Sequence, residues 1–476
     1  MKEKTKKSKK TKKSNKYSKK VNPTKSFQRR MPARNKRMVA ECLGVDNMGN
    51  GIVKINEQDV AVPNLLKGER AIIEIINKPK YTTGKVVKIK KSSMLRSKPK
   101  CVHAASCGGC QIQHMNKDAQ KEFKQNIVKS FLGKYGKVND IIAMEDPYNY
   151  RNKIHATFKY GKDKKIISGM YEQFSHWVIE VEQCYIQDSV ADKILATIRS
   201  QMNNLKIMPY DEDSGEGFLR HVLIRTGFNS KQVMVVLVAS TIEFPKRNNF
   251  ISALLKKHPE ITTIVLNINN EKTNLVLGKE QSTLYGKGYI EDSLLGCKFQ
   301  ISPKSFYQVN PIQTEKLYNK VIEMAEFKQD EVVLDAYSGI GTIGLIISNK
   351  VKQVLGVDLS RAAIKDARNN AEINGIKNVR FYQGDAGKFM LDRIKDNKKI
   401  DTIILDPPRS GSDEKFLSSL GQLKPNKVIY ISCNPETQAR DISQLVGYGY
   451  EVKEIQPVDM FPQTVHVECV VRLEKQ

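Results

Sequence analysis

A cysteine near the end of the chain has the setting of a catalytic nucleophile. Cys433 ends the apolar segment that begins at Ile429, and Pro435, two residues later, suits the first turn of a helix. The start of a helix favours the thiolate form of a cysteine. A thiolate there would face the ligand side of the fold and could form a covalent bond to a bound substrate.

Two candidate proton acceptors follow Cys433 in the chain. His466 and Glu468 are two residues apart in a strand-like segment, and the period-two spacing of a β-strand would place them on one face. Either side chain could act as the general base beside the thiolate. The alternative is an exposed pair on an edge strand.

The glycine-rich segment 335–344 has the pattern of a nucleotide-binding loop. Gly339, Gly341 and Gly344 allow a tight turn and the close approach of a ligand. They also match the G-x-G-x-x-G pattern of dinucleotide-binding enzymes, so an NAD(P) enzyme has to be considered. A purely structural turn is the other alternative.

Acidic residues around this loop favour S-adenosylmethionine (SAM). Asp335 ends the strand before the glycines, where its carboxylate could bind an amino group. Asp385 follows the third strand, where the edge of an adenine would lie. Asp358 ends the second strand and could bind the ribose hydroxyls of either cofactor. This order of acids and glycines predicts a SAM-dependent methyltransferase.

The segment Asp406-Pro-Pro-Arg409 follows the fourth strand of the same region. Enzymes that methylate amino groups often have an aromatic residue where Arg409 stands, so methylation of an adenine amino group is disfavoured. Methylation of uracil C5 suits Cys433 better, because that carbon becomes nucleophilic when a thiolate adds to C6. A base must then remove the C5 proton so that the cysteine can leave.

Four cysteines earlier in the chain could hold metal. Cys101, Cys107 and Cys110 are close in sequence, and Cys184 lies farther along. Four thiolates can bind zinc or a 4Fe–4S cluster, and the spacing alone does not choose between them. The C-x3-C-x2-C spacing of radical SAM enzymes is absent.

Strands and helices alternate after about residue 300, which predicts a mostly parallel, doubly wound sheet. Helices are expected from Pro311, over 342–348, over 361–374 and from Pro435. Ligands bind at the carboxyl ends of the strands in such sheets, and the motifs described above fall at those ends.

The first 300 residues are predicted to be rich in strands. Short strand-like runs in residues 38–96, separated by glycine turns, indicate a small β-barrel. Its strand ends are basic, with Lys78, Lys80, Lys85, Lys88, Lys90 and Lys91. Further strands are expected over 222–226, 233–239 and 263–267, and a helix over 118–132.

The charge of the chain indicates a partner that carries phosphates. Lys and Arg number 79 against 51 acids, a net charge of +28. Residues 1–37 contribute 17 of the basic residues and only one acid, Glu3, which predicts a disordered tail with non-specific affinity for phosphates.

Several classes of protein are disfavoured. The longest apolar run, residues 233–239, is too short to span a bilayer. The first residues lack the apolar core of a secretory signal. Eight cysteines are too few for a disulfide scaffold. We therefore expect a cytoplasmic protein without a membrane partner.

The motifs together resemble the RNA uracil-C5 methyltransferase family. The resemblance covers residues 38–476 and rests on five segments: Ser302 to Asn310, the Asp335 loop, Asp406-Pro-Pro-Arg, Ser432-Cys-Asn-Pro, and Phe461 to Glu468. It implies an α/β SAM-dependent methyltransferase of class I, with a Rossmann-like doubly wound sheet in residues 301–476. It also implies a TRAM β-barrel of the OB-like kind in 38–96 that binds RNA, and a β-rich central iron–sulfur domain in 97–300.

The resemblance implies roles for individual residues. Cys433 would be the nucleophile and Glu468 the base that removes the C5 proton. Five residues would contact SAM: Gln308, Tyr337, Asp358, Asp385 and Asp406. The family often has Phe and Glu where this chain has Tyr337 and Asp358, and both replacements keep the ring and the carboxylate. Phe306 could pack on an extruded uridine, and Arg151 and Lys153 are candidate RNA contacts.

The family also suggests a substrate and a second cofactor. Its 23S ribosomal RNA branch carries the four-cysteine pattern and a 4Fe–4S cluster, whereas its tRNA branch generally lacks that pattern and the barrel. We therefore expect a 4Fe–4S cluster on Cys101, Cys107, Cys110 and Cys184, and 23S ribosomal RNA as the substrate. A monomer with no obligate protein partner is implied. The alternatives are the same chemistry on a tRNA uridine, or a ribosome-associated SAM-binding protein without catalysis.

Overall fold

The computed structural model of the protein describes residues 36–77, 81–173, 175, 177–273 and 275–476. The basic tail lies outside the described residues except for Lys36 and Arg37, and so do Lys78 and Lys80 of the barrel. Within the described part of the chain, no helix has the length and apolar character needed to cross a membrane.

A six-stranded sheet with the order β1-β5-β6-β4-β3-β2 forms the first unit of the fold. Its strands are β1 (Arg37–Glu41), β2 (Gly44–Val45), β3 (Gly51–Ile55), β4 (Gln58–Val62), β5 (Arg70–Asn77) and β6 (Thr82–Lys91). Strand β1 pairs with β5, and just beyond β1 in the chain the Leu43 N–H donates to the Ile52 carbonyl of β3 (2.8 Å). The chain thereby joins the two edges and closes the sheet into a barrel around Val53, Val62 and Ile73.

Helix α1 (Lys117–Leu132) follows the barrel and the cysteine-rich segment. Asn116 caps it, because its side chain accepts the Ala119 N–H. The apolar face of the helix, with Ile127, Val128 and Leu132, is buried in the core of the carboxyl-terminal sheet.

A seven-stranded sheet with the order β13-β12-β11-β10-β7-β8-β9 forms the middle of the molecule. Its strands are β7 (Lys153–Tyr160), β8 (Ile166–Tyr171), β9 (Val178–Glu180), β10 (Leu219–Thr226), β11 (Val233–Ala239), β12 (Ile261–Ile268) and β13 (Glu280–Tyr285). Helices α2 (Ser189–Leu205) and α3 (Arg247–Lys257) share a core with it. The apolar run 233–239 is therefore a fully buried strand.

The hairpin of β14 (Ile290–Leu294) and β15 (Cys297–Ile301) links this sheet to the next. A second seven-stranded sheet follows, with β16 (Val332–Ala336), β17 (Gln353–Asp358), β18 (Val379–Gln383), β19 (Thr402–Leu405), β20 (Lys427–Ser432), β21 (Tyr450–Val458) and β22 (Glu468–Lys475). Its order is β18-β17-β16-β19-β20-β22-β21. The strands from β18 to β20 in this order are parallel, and β22 runs antiparallel to its two neighbours.

Helices cover both faces of this sheet, as the prediction of a doubly wound fold requires. They are α4 (Pro311–Ala325), α5 (Thr342–Ile346), α6 (Arg361–Ile373), α7 (Ala386–Lys395), α8 (Glu414–Leu423) and α9 (Pro435–Gly447). Helices α4 to α6 share a core with Val333, whereas α1 and α7 to α9 share one with its neighbour Leu334. The predicted helix over 342–348 is shorter than expected and is followed by a 3-10 turn, Ser348–Lys350.

The packing units differ from the predicted boundaries at residues 97 and 300. Helix α1 belongs to the carboxyl-terminal core, because its apolar face covers that sheet. The hairpin of β14 and β15 also joins that unit, since the Lys298 and Gln300 N–H groups donate to Asn374 and Asn370 at the end of α6 (both 2.8 Å).

Candidate active site

The glycine loop lies at the carboxyl edge of the parallel strands and is held there by two carboxylates. Asp335, at the end of β16, accepts the Gly344 N–H (2.9 Å). Asp358, at the end of β17, accepts the Gly339 N–H (3.0 Å) and the Ser360 N–H (2.7 Å). A side chain at Gly341 would lie 2.5 Å from the ring of Phe381, so the loop requires glycine there.

Three carboxyl groups lie close together at this edge: Asp335 and Glu468, which are buried, and Asp406, which is partly buried. Burial, with the charges of Asp406 and Asp358, raises the pKa of Asp335 to about 7. Burial raises the pKa of Asp406, just after β19, to about 7. Burial and the charge of Asp406 raise the pKa of Glu468, the first residue of β22, to about 8. Such crowding of acids disfavours the ionised forms and favours a cationic ligand.

Cys433 lies at the same edge, between β20 and α9. Burial and the charges of Glu468 and Asp406 raise its pKa to about 11. The expectation from the helix start is therefore wrong for the protein without ligands, because burial and two acids outweigh the helix dipole. The Arg409 guanidinium acts in the opposite direction and lowers the pKa of the thiol, through its charge and a hydrogen bond.

The Arg409 backbone is fixed beside the start of α9. Its carbonyl accepts hydrogen bonds from the side chains of Asn434 (3.0 Å) and Thr437 (3.1 Å). Its guanidinium Nη2 lies 3.3 Å from His466 Nε2. Arg409 therefore lies between the thiol and His466.

His466 lies in the loop before β22, so the prediction that it shares a strand face with Glu468 is wrong. Burial and the nearby Arg409 lower the pKa of His466 to about 4. Its imidazole is neutral at neutral pH and is a weak base. Glu468 has the pKa closer to neutrality, which suits a general base.

The remaining predicted cofactor contacts lie around the same edge. Gln308 is buried and precedes α4, with its carbonyl held by the Asn152 side chain (3.2 Å). Tyr337 begins the glycine loop with a left-handed backbone (φ 66°). Asp385 caps α7 by accepting the Lys388 N–H (2.7 Å), so one of its oxygens already has a structural partner.

Residues 459–467, which join β21 to β22 and lead to Glu468, form what we call the base loop. A fully buried lysine of α1, Lys124, holds its first part. The Lys124 ammonium donates to Asp459 Oδ1 (2.5 Å) and to the Phe461 carbonyl (2.9 Å). Burial lowers the pKa of Lys124, and Asp459 opposes that shift.

Other parts of the chain hold the rest of the base loop. Gln120 and Gln463 pair through their amides, with a Gln120 Nε2 to Gln463 Oε1 distance of 3.0 Å. The Tyr150 hydroxyl donates to the Pro462 carbonyl (3.0 Å). The Gln111 and Ile112 N–H groups, directly after Cys110, donate to the Gln463 carbonyl (both 3.2 Å). The position of Glu468 therefore depends on the cysteine segment and on α1.

Sequence reasoning missed Lys124 and its partners. The available signal was periodicity, because Lys124 lies four residues from both Gln120 and Val128 on the buried face of α1. A lysine on an apolar helix face needs a buried partner.

The four predicted cysteine ligands line one cavity of about 250 Å³, together with Arg151 and His155. Burial raises the pKa of Cys110 to about 12 and that of Cys184 to about 11, with smaller contributions from neighbouring acidic groups. Among the residues that the structure describes, no three His, Cys, Asp or Glu side chains are arranged to hold a metal ion.

Comparison with known proteins identifies RNA methyltransferases as relatives of this chain. The family model described as tRNA (uracil-5-)-methyltransferase matches residues 116–476. An "uncharacterized RNA methyltransferase" of Oceanobacillus iheyensis is 42% identical over 433 residues, which are 89% of this chain and 94% of that protein. Another, from Staphylococcus aureus, is 39% identical over 444 residues, 92% of this chain and 98% of that protein.

A solved structure resembles nearly the whole fold. It is the Pyrococcus abyssi tRNA (uracil-54, C5)-methyltransferase in complex with S-adenosyl-L-homocysteine, with a TM-score of 0.76 and 29% identity. The alignment covers 92% of this chain and 99% of that one.

Replacing Lys124 with Met tests the buried ion pair that holds the base loop. We expect the change to lower the free energy of unfolding by about 3 kcal/mol, because it leaves the Asp459 carboxylate buried without its partner. The control is Lys121→Met on the same helix, which removes only a surface pair with Asp118 and should cost less than about 0.5 kcal/mol. Scanning calorimetry measures both variants, and equal shifts would contradict the assignment.

The alkylation rate of Cys433 tests the electrostatics of the thiol. Glu468→Gln removes a charge that raises the pKa of Cys433, and Glu468 itself has a pKa of about 8, so the thiolate fraction and the rate with iodoacetamide should rise mainly above about pH 8. Arg409→Ala should lower the rate, because Arg409 favours the thiolate. The rate is followed by mass spectrometry of the Cys433 peptide. Cys297, whose pKa is raised by burial alone, should react unchanged in both variants, and the opposite order at Cys433 would refute this account.

Proposed function

This chain belongs to the RNA uracil-C5 methyltransferase family, and we propose that its substrate is a uridine of 23S ribosomal RNA. Family membership makes it a SAM-dependent enzyme that methylates C5 of uracil in RNA. The alternative of a SAM-binding protein without catalysis is therefore set aside. The observation that carries the mechanism proposed below is the meeting of Cys433, Glu468 and Asp406 at one buried edge.

The acidic side of this edge is the proposed binding site for SAM. Asp335 is buried and Asp406 is partly buried, and the raised pKa values of both favour a positive charge beside them. We assign Tyr337, Asp358 and Asp385 to the same site, since they lie in the glycine loop or at the ends of neighbouring strands. Gln308, which precedes α4, is assigned to it from the resemblance to the family. The SAM sulfonium is a cation, so its binding should offset the repulsion among the acids.

Cys433 is the proposed nucleophile. A cation bound near Asp406 would lower the raised pKa of the Cys433 thiol. Arg409 already stabilises the thiolate from the other side. The thiolate adds to C6 of the uracil, and the electrons of the C5–C6 double bond move to C5 and the C4 carbonyl. C5 then takes the methyl group from the sulfonium, which leaves as neutral S-adenosylhomocysteine.

Glu468 is the proposed base for the last step. Its carboxylate accepts the C5 proton, the C5–C6 double bond re-forms, and the bond from Cys433 to C6 breaks to release the thiolate. The base loop positions this carboxylate. The hydrogen bonds and the ion pair that hold the base loop restrict the movement of Glu468. The uridine must leave its stack to reach Cys433, and Phe306, which is 65% exposed, offers an aromatic surface for it.

We further propose that Cys101, Cys107, Cys110 and Cys184 hold a 4Fe–4S cluster. The shared cavity supports this, because all four thiols line one space of about 250 Å³. Four thiolates are the ligands of such a cluster, and the choice of iron–sulfur over zinc rests on the resemblance to the 23S ribosomal RNA branch of the family. When bound, the cluster would cross-link the cysteine segment to the residues around Cys184, and that segment bonds to the base loop through Gln111 and Ile112.

The choice of 23S ribosomal RNA follows the presence of both a closed N-terminal barrel and the four-cysteine cavity. We propose the barrel as a TRAM domain that binds RNA. A tRNA uridine is the second candidate, and one observation favours it: the structure that covers 92% of this chain is a tRNA (uracil-54, C5)-methyltransferase. The overall fold is therefore compatible with either RNA, and the choice of 23S ribosomal RNA rests on the resemblance to that branch of the family.

Two variants test the catalytic assignment. Cys433→Ala should abolish methyl transfer from SAM to RNA in a single-turnover assay. Glu468→Gln should still form the adduct but release it slowly, which gives a covalent enzyme–RNA species on a denaturing gel. Methyl transfer by Cys433→Ala would overturn its role as the nucleophile, and the absence of the slow band would count against Glu468 as the base.

The substrate is tested by mapping 5-methyluridine by mass spectrometry in ribosomal and transfer RNA from cells without this protein. We expect a mark to be lost from 23S ribosomal RNA and restored by the wild-type chain but not by Cys433→Ala. Loss of a mark from tRNA alone would support the second candidate and refute the first.

A further inference from the structure

Two basic side chains face each other across neighbouring strands of the central sheet. Lys153, the first residue of β7, is paired in register with Arg225 of β10. Like charges directly opposite each other in an antiparallel pair are destabilising. Among the described residues, neither side chain has a salt bridge to a carboxylate. Arg225 is almost fully buried, its guanidinium donates to the Ser305 carbonyl, and its Nε has no hydrogen-bond partner.

The local charge around Lys153 is strongly positive. Burial and the charges of Arg225 and Arg151 lower the pKa of Lys153 to about 8. Burying a cation without a counter-charge costs free energy, and an anion bound beside Lys153 would offset that cost.

Lys153 lines an open cavity of about 350 Å³, and two more lysines line it with Lys153. Lys304 donates to the Lys279 carbonyl (2.9 Å). The Lys279 ammonium forms an exposed ion pair with Glu271, which also lines the cavity (3.1 Å). One carboxylate therefore faces three ammonium groups, and the cavity is positive overall.

The cavity lies beside the proposed substrate site. Pro303 and Lys304, on its wall, precede the exposed Phe306 by a few residues. Asn152 is adjacent to Lys153. Its side-chain amide donates to the Gln308 carbonyl (3.2 Å), and its backbone N–H donates to the Val309 carbonyl (2.9 Å). The segment that carries Phe306 and Gln308 is thus attached to the strand that carries Lys153.

We propose that this cavity binds a backbone phosphate of the substrate RNA next to the target uridine. The proposal rests on the proposed function, since it deepens the description of the same RNA site. The carboxylate of SAM is the other anion to consider. A phosphate fits better, because neither the glycine loop nor the acids of the cofactor edge line this cavity, which opens between the central sheet and residues 303–304.

The test compares Lys153→Met with Lys377→Met in the full chain. Lys377 is an exposed lysine in the loop before β18, at the edge of the parallel sheet opposite the active site. The affinity for a fluorescein-labelled oligouridylate is measured by anisotropy over a range of salt concentrations. Loss of one phosphate contact should reduce the slope of log affinity against log salt by about 0.7 in Lys153→Met. Lys377→Met should keep the wild-type slope.

Two further measurements separate this role from a structural one. The unfolding temperature without RNA should stay the same or rise in Lys153→Met, because the variant relieves the repulsion with Arg225, whereas a purely structural lysine would lower it. The affinity for S-adenosylhomocysteine, measured by calorimetry, should not change.

An unchanged salt slope in Lys153→Met overturns the proposal. So does a loss of affinity for S-adenosylhomocysteine, which would assign the cavity to the cofactor carboxylate. The binding assay does not depend on methyl transfer. A wild-type chain that leaves 23S ribosomal RNA unmethylated would therefore refute the proposed substrate, while the phosphate site would still be judged by the slope.

Discussion

The burial of several acids and a thiol at one sheet edge is the constraint on which the active site depends. Asp406 raises the pKa values of both Asp335 and Glu468, and Glu468 and Asp406 also raise that of Cys433. Such a site is unfavourable when every group is ionised, so positive charges have to balance it. Arg409 supplies one from the chain itself, and the sulfonium of the cosubstrate would supply the other. The reactive state of the site is thereby tied to occupancy by its cosubstrate.

A second constraint is the position of the proposed catalytic carboxylate. Glu468 begins a strand that enters the sheet antiparallel, and the loop before it has no regular structure of its own. Its backbone is held instead by side chains from α1 and by hydrogen bonds from the cysteine segment. The buried Lys124–Asp459 pair adds geometric precision to that attachment. Residues outside the methyltransferase sheet therefore take part in placing Glu468.

The two sides of the segment 303–309, which carries Phe306 and Gln308, differ in charge. The cofactor side is acidic and buried, whereas the side formed by the central sheet is basic, with Lys153 opposite Arg225. A nucleic acid that presents a base to Cys433 would also bring its phosphates nearby, and the basic side is the place that we propose for one of them. The net charge of +28 therefore does not reveal that an acidic edge and a basic side lie next to each other.

The sequence by itself determined the fold class and the residue types of the site. The alternation of strands and helices after residue 300, Pro311 at a helix start, and the glycines near Asp335 are local signals, and the corresponding helices and strands form as predicted. The placement of ligand-binding motifs at strand ends also follows from local pattern, because parallel strands share one carboxyl edge. Tertiary structure decided what depends on distant neighbours. The raised pKa of Cys433, the neutral His466 outside β22, the Lys124–Asp459 pair and the Lys153–Arg225 juxtaposition each arise from residues far apart in the chain. Burial and charge act through space, so no local pattern could specify them.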